Sequence, residues 1–270
     1  MRQHLVAADR LVAPLLLFVC FYVATVMLLV RVHFPFLQWI GLVSVTVATA
    51  ASVAIWERGQ WPLGLFVPPR LAIREFFLGS MFGVVLIASC ALVIVLASGV
   101  VHEPGRGFPW YELFAVFVPA AVHEELLFRG YAFQKLYRWR RGFALFFAAL
   151  VFAGLHAGNP SVSPIGLVNI FLGGLLLGLA FGRYGRLWFP IGLHLMWNIT
   201  SGPILGHEVS GYEAMRTILI EIDAGPDWMS GGRFGIEGSA WMTVTEALAI
   251  ALLAMRTRRP NMMRTPSVSA

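Results

Sequence analysis

Runs of about 20 consecutive apolar residues recur along the chain, the length a helix needs to cross roughly 30 Å of hydrocarbon. The connections between most of them are too short to hold a soluble domain. Hydrocarbon offers the backbone no hydrogen-bond partner, so such runs have to be helices that satisfy their own N–H and C=O groups. The 270 residues are 58% hydrophobic and 13% charged, as an integral membrane protein requires. The expected fold is all-α, a polytopic membrane protein of about eight transmembrane helices. They are expected at 11–30, 36–56, 76–100, 111–134, 143–158, 165–182, 187–203 and 241–255. The first run follows Arg2 and Arg10 but exceeds a signal-peptide core and lacks a small-residue cleavage site, so it is expected to remain as a helix.

Charge sets the expected orientation. With a cytoplasmic N-terminus, the 20 Lys and Arg divide into 15 inside, 4 outside and Arg129 within a span, the asymmetry of the positive-inside rule. Both termini are therefore expected in the cytoplasm, in a multi-pass protein of the cell membrane. The same bias accounts for the net charge of +6 without any nucleic-acid partner. A single membrane domain over 1–270 is expected, with a catalytic core at 111–203 and a basic cytoplasmic tail at 256–270 held near anionic headgroups. Between 204 and 240 lies a Gly-rich connection with six acidic residues and two arginines, expected to be an extracytoplasmic loop. Cys20 and Cys90 both fall in apolar runs, which argues against a disulfide framework. Gly174, Gly178 and Gly182, four apart, leave one helix face almost bare for a close neighbour.

Against this apolar background "AAVHEELLFRGYAF", Ala120 to Phe133, is anomalous. A charge at mid-bilayer costs about 2.5–3.5 kcal/mol even on insertion scales, so Glu124, Glu125 and Arg129 need partners. Glu125 and Arg129 are four apart and share a helix face, where they can pair. Glu124 is rotated by about 100° and is free to point elsewhere. Two later runs repeat the anomaly: "FAGLH" ends in His156, and "HLMWN" holds His194 and Asn198 four apart. Counted from the flanking polar residues, Glu124, His156 and His194 lie roughly 16, 20 and 12 Å deep at about 1.5 Å per residue. One shared site explains three such coincidences better than three accidents. His123, next to Glu124 but turned away, is a weaker candidate. His102 and His207 read as surface or interfacial, and Glu246 as reaching the interface.

A carboxylate and a histidine at one depth can take a proton from water while a second histidine and an amide donate to a developing oxyanion. Glu124, His156 and His194 could equally hold zinc, whose open position would carry the water. The sequence has no HExxH, and these two mechanisms stay open at this level.

The three motifs together, EExxxR in "EELLFRG", FxxxH in "FAGLH" and HxxxN in "HLMWN", resemble the CPBP family of intramembrane proteases. That family includes type II CAAX prenyl endopeptidases and bacteriocin-processing or Abi-type self-immunity proteins. The resemblance covers roughly residues 111–203. It implies an eight-helix membrane peptidase in which Glu124 activates water with help from His156. Glu125 and Arg129 would organise the site, and His194 with Asn198 would stabilise the oxyanion. The implied partners are a peptide or membrane-protein substrate and the lipid bilayer, and zinc is an implied possibility as cofactor. A proton-coupled transporter or channel, or a non-catalytic immunity or interaction protein, are the alternatives. The first would show paired broken helices or an internal repeat, and no such repeat is evident.

Overall fold

The computed structural model describes residues 2–58, 64–222 and 224–255, with side chains from Arg10 onward. Its framework is helical: α1 (Arg2–Arg31), α2 (Leu37–Trp56), α3 (Pro69–Ser98), α4 (Val118–Arg129), α5 (Tyr131–Trp139), α6 (Arg141–His156), α7 (Pro164–Tyr184), α8 (Trp188–Ile199) and α9 (Ala240–Met255). Four helices are long and apolar enough to cross a membrane: α1 from Arg10 onward, α2, α3 and α7. They make this a membrane protein. Helices α6 and α9 are apolar but shorter, and the basic tail expected at 256–270 lies outside the described residues.

The fold is nearly all-α rather than all-α. Strands β1 (Val101–Pro104) and β2 (Leu219–Ile222) pair antiparallel, with His102 opposite Glu221. This ribbon ties the connection after α3 to the segment expected to be a plain loop. The segment is instead folded. A π turn (Thr200–Ile204) continues α8, a short helix spans Asp227–Ser230, and 3₁₀ turns follow at Gly232–Phe234 and Ile236–Gly238. Phe234 and Ile236 are buried, which fixes the segment on the helices.

The expected span 111–134 is also divided. A π turn (Leu113–Phe117) precedes α4, and the helix breaks at Gly130, where a Cβ would lie 2.0 Å from the Leu126 carbonyl oxygen. After the break α5 is strongly amphipathic. At this end Glu57 takes Lys135 at 2.5 Å and the Tyr131 hydroxyl at 3.0 Å, and Arg186 forks onto Glu75.

Small residues let the helices come close. A Cβ at Gly79 would stand 2.0 Å from the Phe189 carbonyl oxygen, and one at Gly192 would stand 2.2 Å from that of Phe76, so α3 and α8 meet backbone to backbone. The expected stripe of Gly174, Gly178 and Gly182 takes Ala149, Leu145 and Tyr137 as its close neighbours. Helix α7 itself starts at Ser163, whose Oγ accepts the Gly166 amide at 3.0 Å ahead of Pro164. It stops at Gly185, which is left-handed. Glu246 does not reach an interface: it is fully buried in α9. The two cysteines are free.

His207 is buried as well, contrary to the expectation of a surface residue. Its Nε2 lies 3.3 Å from that of His102, and its Nδ1 lies 2.7 Å from Glu221. Burial, followed by the neighbouring His207, pushes the His102 pKa down, against the opposing pull of Glu221. A histidine so depressed stabilises the fold above its unfolded pKa, about 6.5, and that contribution is lost as pH falls through the lower folded value. Amides 219–222 are therefore expected to exchange faster at about pH 5 than at about pH 7.5 after correction for intrinsic rates. Equal protection at both would refute this.

Candidate active site

Helix α4 presents Glu124 and Glu125 on different faces, and three further helices close around them. Glu125 and Arg129 pair at 2.9 Å with both side chains fully buried. The second arm of the guanidinium donates to the Gly174 carbonyl oxygen at 2.9 Å. The bare glycine face therefore brings a backbone acceptor within reach of Arg129. The same guanidinium carbon stands 5.2 Å from the Phe152 ring centroid.

Glu125 has a second partner that its position in the sequence did not reveal. His194 Nδ1 lies 2.9 Å from the Glu125 Oε1 that also takes Arg129. The Nδ1–H must donate to the carboxylate, because a carboxylate oxygen only accepts. The other ring nitrogen, Nε2, stands 3.7 Å from Glu124 Oε2. His194 thus bridges the two glutamates, with one nitrogen engaged and the other turned to Glu124. Glu124 keeps 26% side-chain exposure, whereas Glu125 has none.

His156 ends α6, and its Nδ1 donates to the Phe152 carbonyl oxygen at 2.7 Å. That bond sets the tautomer and leaves Nε2 as the nitrogen able to accept a proton. Phe152 sits between the two imidazoles, with ring centroids 4.5 Å from His156 and 6.2 Å from His194. The first residue of FxxxH is thus a spacer as well as a packing residue.

Glu124, His156, His194 and Asn198 all line one cavity of about 560 Å³. Glu125 and Arg129 lie behind its wall. The segment after α8 supplies the rest of the lining, including Ser210, Tyr212 and Glu237. Glu237 is held by Trp197 Nε1 at 2.9 Å and by Ser210 through its amide at 2.8 Å and its hydroxyl at 2.6 Å. Nothing in the sequence marks Glu237, a lone acid between Ile236 and Gly238. Asn169 is also in the wall, but its side chain is engaged: it donates to the carbonyls of Glu237 and Ser239, both at 2.8 Å, and accepts from Thr243 at 2.6 Å. It clamps the 204–240 segment and α9 to α7. His123 reaches the cavity too, bonded to the Tyr22 hydroxyl at 2.9 Å.

Among the described residues no three His, Cys, Asp or Glu side chains converge closely enough to hold a metal ion. As donors Glu124, His156 and His194 suit zinc, since Nδ1–H of each imidazole is engaged by Glu125 or Phe152 and Nε2 stays open, but the three side chains do not converge on one point that an ion could share.

Residues 106–200 match the family model described as type II CAAX prenyl endopeptidase Rce1-like. The match covers about a third of the chain and supports its resemblance to the CPBP intramembrane proteases. It spans all six motif residues, from Glu124 to Asn198, and the family's kind of activity is that of a peptidase. No curated protein and no solved structure matches the chain.

Proposed function

We propose that the protein is an intramembrane endopeptidase that hydrolyses a peptide bond with a water activated by Glu124, without a metal. The observation that carries this reading is the bridge of His194 between Glu125 and Glu124 at the wall of a cavity that also holds His156 and Asn198. In this reading Glu124, the more exposed carboxylate, takes a proton from water as the water attacks the carbonyl carbon. His156 Nε2 assists by accepting from the same water. Because Nδ1–H of His194 is committed to Glu125, a proton on Nε2 is aimed at the cavity and at the oxyanion, which Asn198 supports from one turn further along α8. Two carboxylates, one guanidinium and one imidazolium sum to zero charge, the balance a buried site permits. The tetrahedral intermediate collapses as Glu124 returns its proton to the leaving amine.

The arrangement also favours one membrane domain over the whole chain, with the 204–240 segment as part of the site. Helices α4, α6, α8 and α9 supply the remaining four of eight spans. Both termini then lie in the cytoplasm of a cell-membrane protein, and the cavity opens on the opposite side. The substrate is a peptide or membrane-protein segment.

The test is cleavage by purified full-length protein in H₂¹⁸O. One ¹⁸O atom is expected in each new carboxyl terminus, with activity that survives chelator. Absence of cleavage across a library of membrane-anchored peptides would overturn the hydrolase reading. Loss of activity with chelator, restored by a metal, would overturn the metal-free mechanism.

A further inference from the structure

We infer that the cavity selects a cationic segment, one that places an ammonium or guanidinium group beside the bond to be cut. This rests on the hydrolase reading above and adds the class of substrate. Among the described residues the cavity is lined by Glu112, Glu124, Glu213 and Glu237 and by no lysine or arginine. Glu124 is balanced inside the catalytic group. Glu112 and Glu237 are not. Both are more than nine-tenths buried, and their hydrogen bonds come from neutral donors. The Met215 amide donates to the two oxygens of Glu112 at 2.9 and 3.1 Å. Glu237 takes only the indole of Trp197 and the amide and hydroxyl of Ser210. Neutral donors fix where a carboxylate points and leave its charge in place. Among the described residues no cation pairs with either.

Glu246 stands behind this wall. It is fully buried, neither carboxyl oxygen has a hydrogen-bond partner among the described residues, and Oε1 lies 3.1 Å from where a Cβ on Gly173 would stand. Gly173 is itself in the cavity wall. At the mouth, Glu213 meets Arg233 at 3.9 Å, but both are largely exposed and the pair is weak. The other basic residues of this end, Arg106 and Arg216, line an adjoining depression of about 390 Å³ together with Arg233, and this depression shares Glu213 and Ala214 with the cavity.

Apolar walls of low dielectric sharpen the negative potential of such a cavity. No three of these acids converge on a point where a metal ion could sit. The complementary charge therefore has to arrive on a flexible carrier, and a lysine side chain can lay its alkyl stem along Phe117 and Trp197 while its head seeks a carboxylate.

The experiment uses three membrane-anchored peptides identical except for lysine, norleucine or glutamate at the positions flanking the cleaved bond. Full-length protein is held in nanodiscs of zwitterionic lipid. Binding is read by fluorescence anisotropy on Glu124→Gln protein, where chemistry is off, and cleavage is read on wild type. The lysine peptide is expected to bind and to be cleaved about tenfold better than the norleucine peptide, in Kd and in kcat/KM. The glutamate peptide is expected to be the worst of the three. Glu112→Gln with Glu213→Gln should shrink the lysine advantage. Equal binding of all three peptides would overturn the cationic preference while leaving hydrolysis standing. Ordered binding with no cleavage of any peptide would sustain the preference and overturn the hydrolase reading.

Discussion

Glu124→Gln is expected to reduce kcat/KM by about 10²- to 10⁴-fold, the range for loss of a general base, with little loss of stability. The amide is nearly isosteric and cannot take a proton from water. It also disturbs little: the closest charged contact of Glu124 is His194 Nε2 at 3.7 Å, and the side chain is partly exposed. Glu125→Gln makes the useful contrast. The same chemical change, one residue on, weakens the acceptor that holds both Arg129 and His194. It is expected to lower both activity and thermal stability, whereas Glu124→Gln lowers activity alone. His194→Ala removes an oxyanion donor worth about 10²- to 10³-fold, and combined with Glu124→Gln it should cost little more than either alone, as parts of one unit do. Cleavage assays with denaturation curves on the same preparations decide it. A Glu124→Gln protein within tenfold of wild type would remove the base from the mechanism.

The site was more legible in the sequence than the fold around it. Spacing alone put Glu125 and Arg129 on one face and turned Glu124 away, and the structure pairs the first two at 2.9 Å while Glu124 lines the cavity. The glycine stripe of α7 likewise told of a close neighbour. Contacts between distant helices left no such trace. The bond from His194 to Glu125 spans 69 residues of sequence, and helical periodicity is blind to it. Hydropathy gives the length of an apolar run but not its rotation, so Glu246 looked able to reach water although α9 turns it fully inward. The run 111–134 carries no proline at Gly130 to announce a break. The break follows from the backbone path there, where any Cβ would collide with Leu126. The 204–240 segment was least legible because its pieces are only a few residues long. Its shape comes from tertiary contacts such as Glu237 with Trp197 and Ser210, not from local preference.

Arg129→Ala is expected to be the most destabilising single change in the site, by about 3–5 kcal/mol, the cost of breaking a buried ion pair from one side. It leaves Glu125, which has no exposure, to rely on His194, and it leaves the Gly174 carbonyl oxygen without its donor. Arg129→Lys is not a conservative rescue. One ammonium cannot span Glu125 and Gly174 with the planar fork that the guanidinium uses, and it gives up the contact with Phe152. Replacing both charges, Glu125→Leu with Arg129→Leu, should recover much of the lost stability, since an apolar pair of similar volume can substitute for a buried salt bridge. It should not recover cleavage, because His194 loses the acceptor that holds Nδ1 and aims Nε2 at the cavity. A double-mutant cycle of unfolding in detergent micelles, run beside the cleavage assay, separates the two roles. If Arg129→Ala lies within about 1 kcal/mol of wild type, below any buried-pair penalty, the pair does not hold the fold. If the double leucine variant cleaves normally, Glu125 does not orient His194.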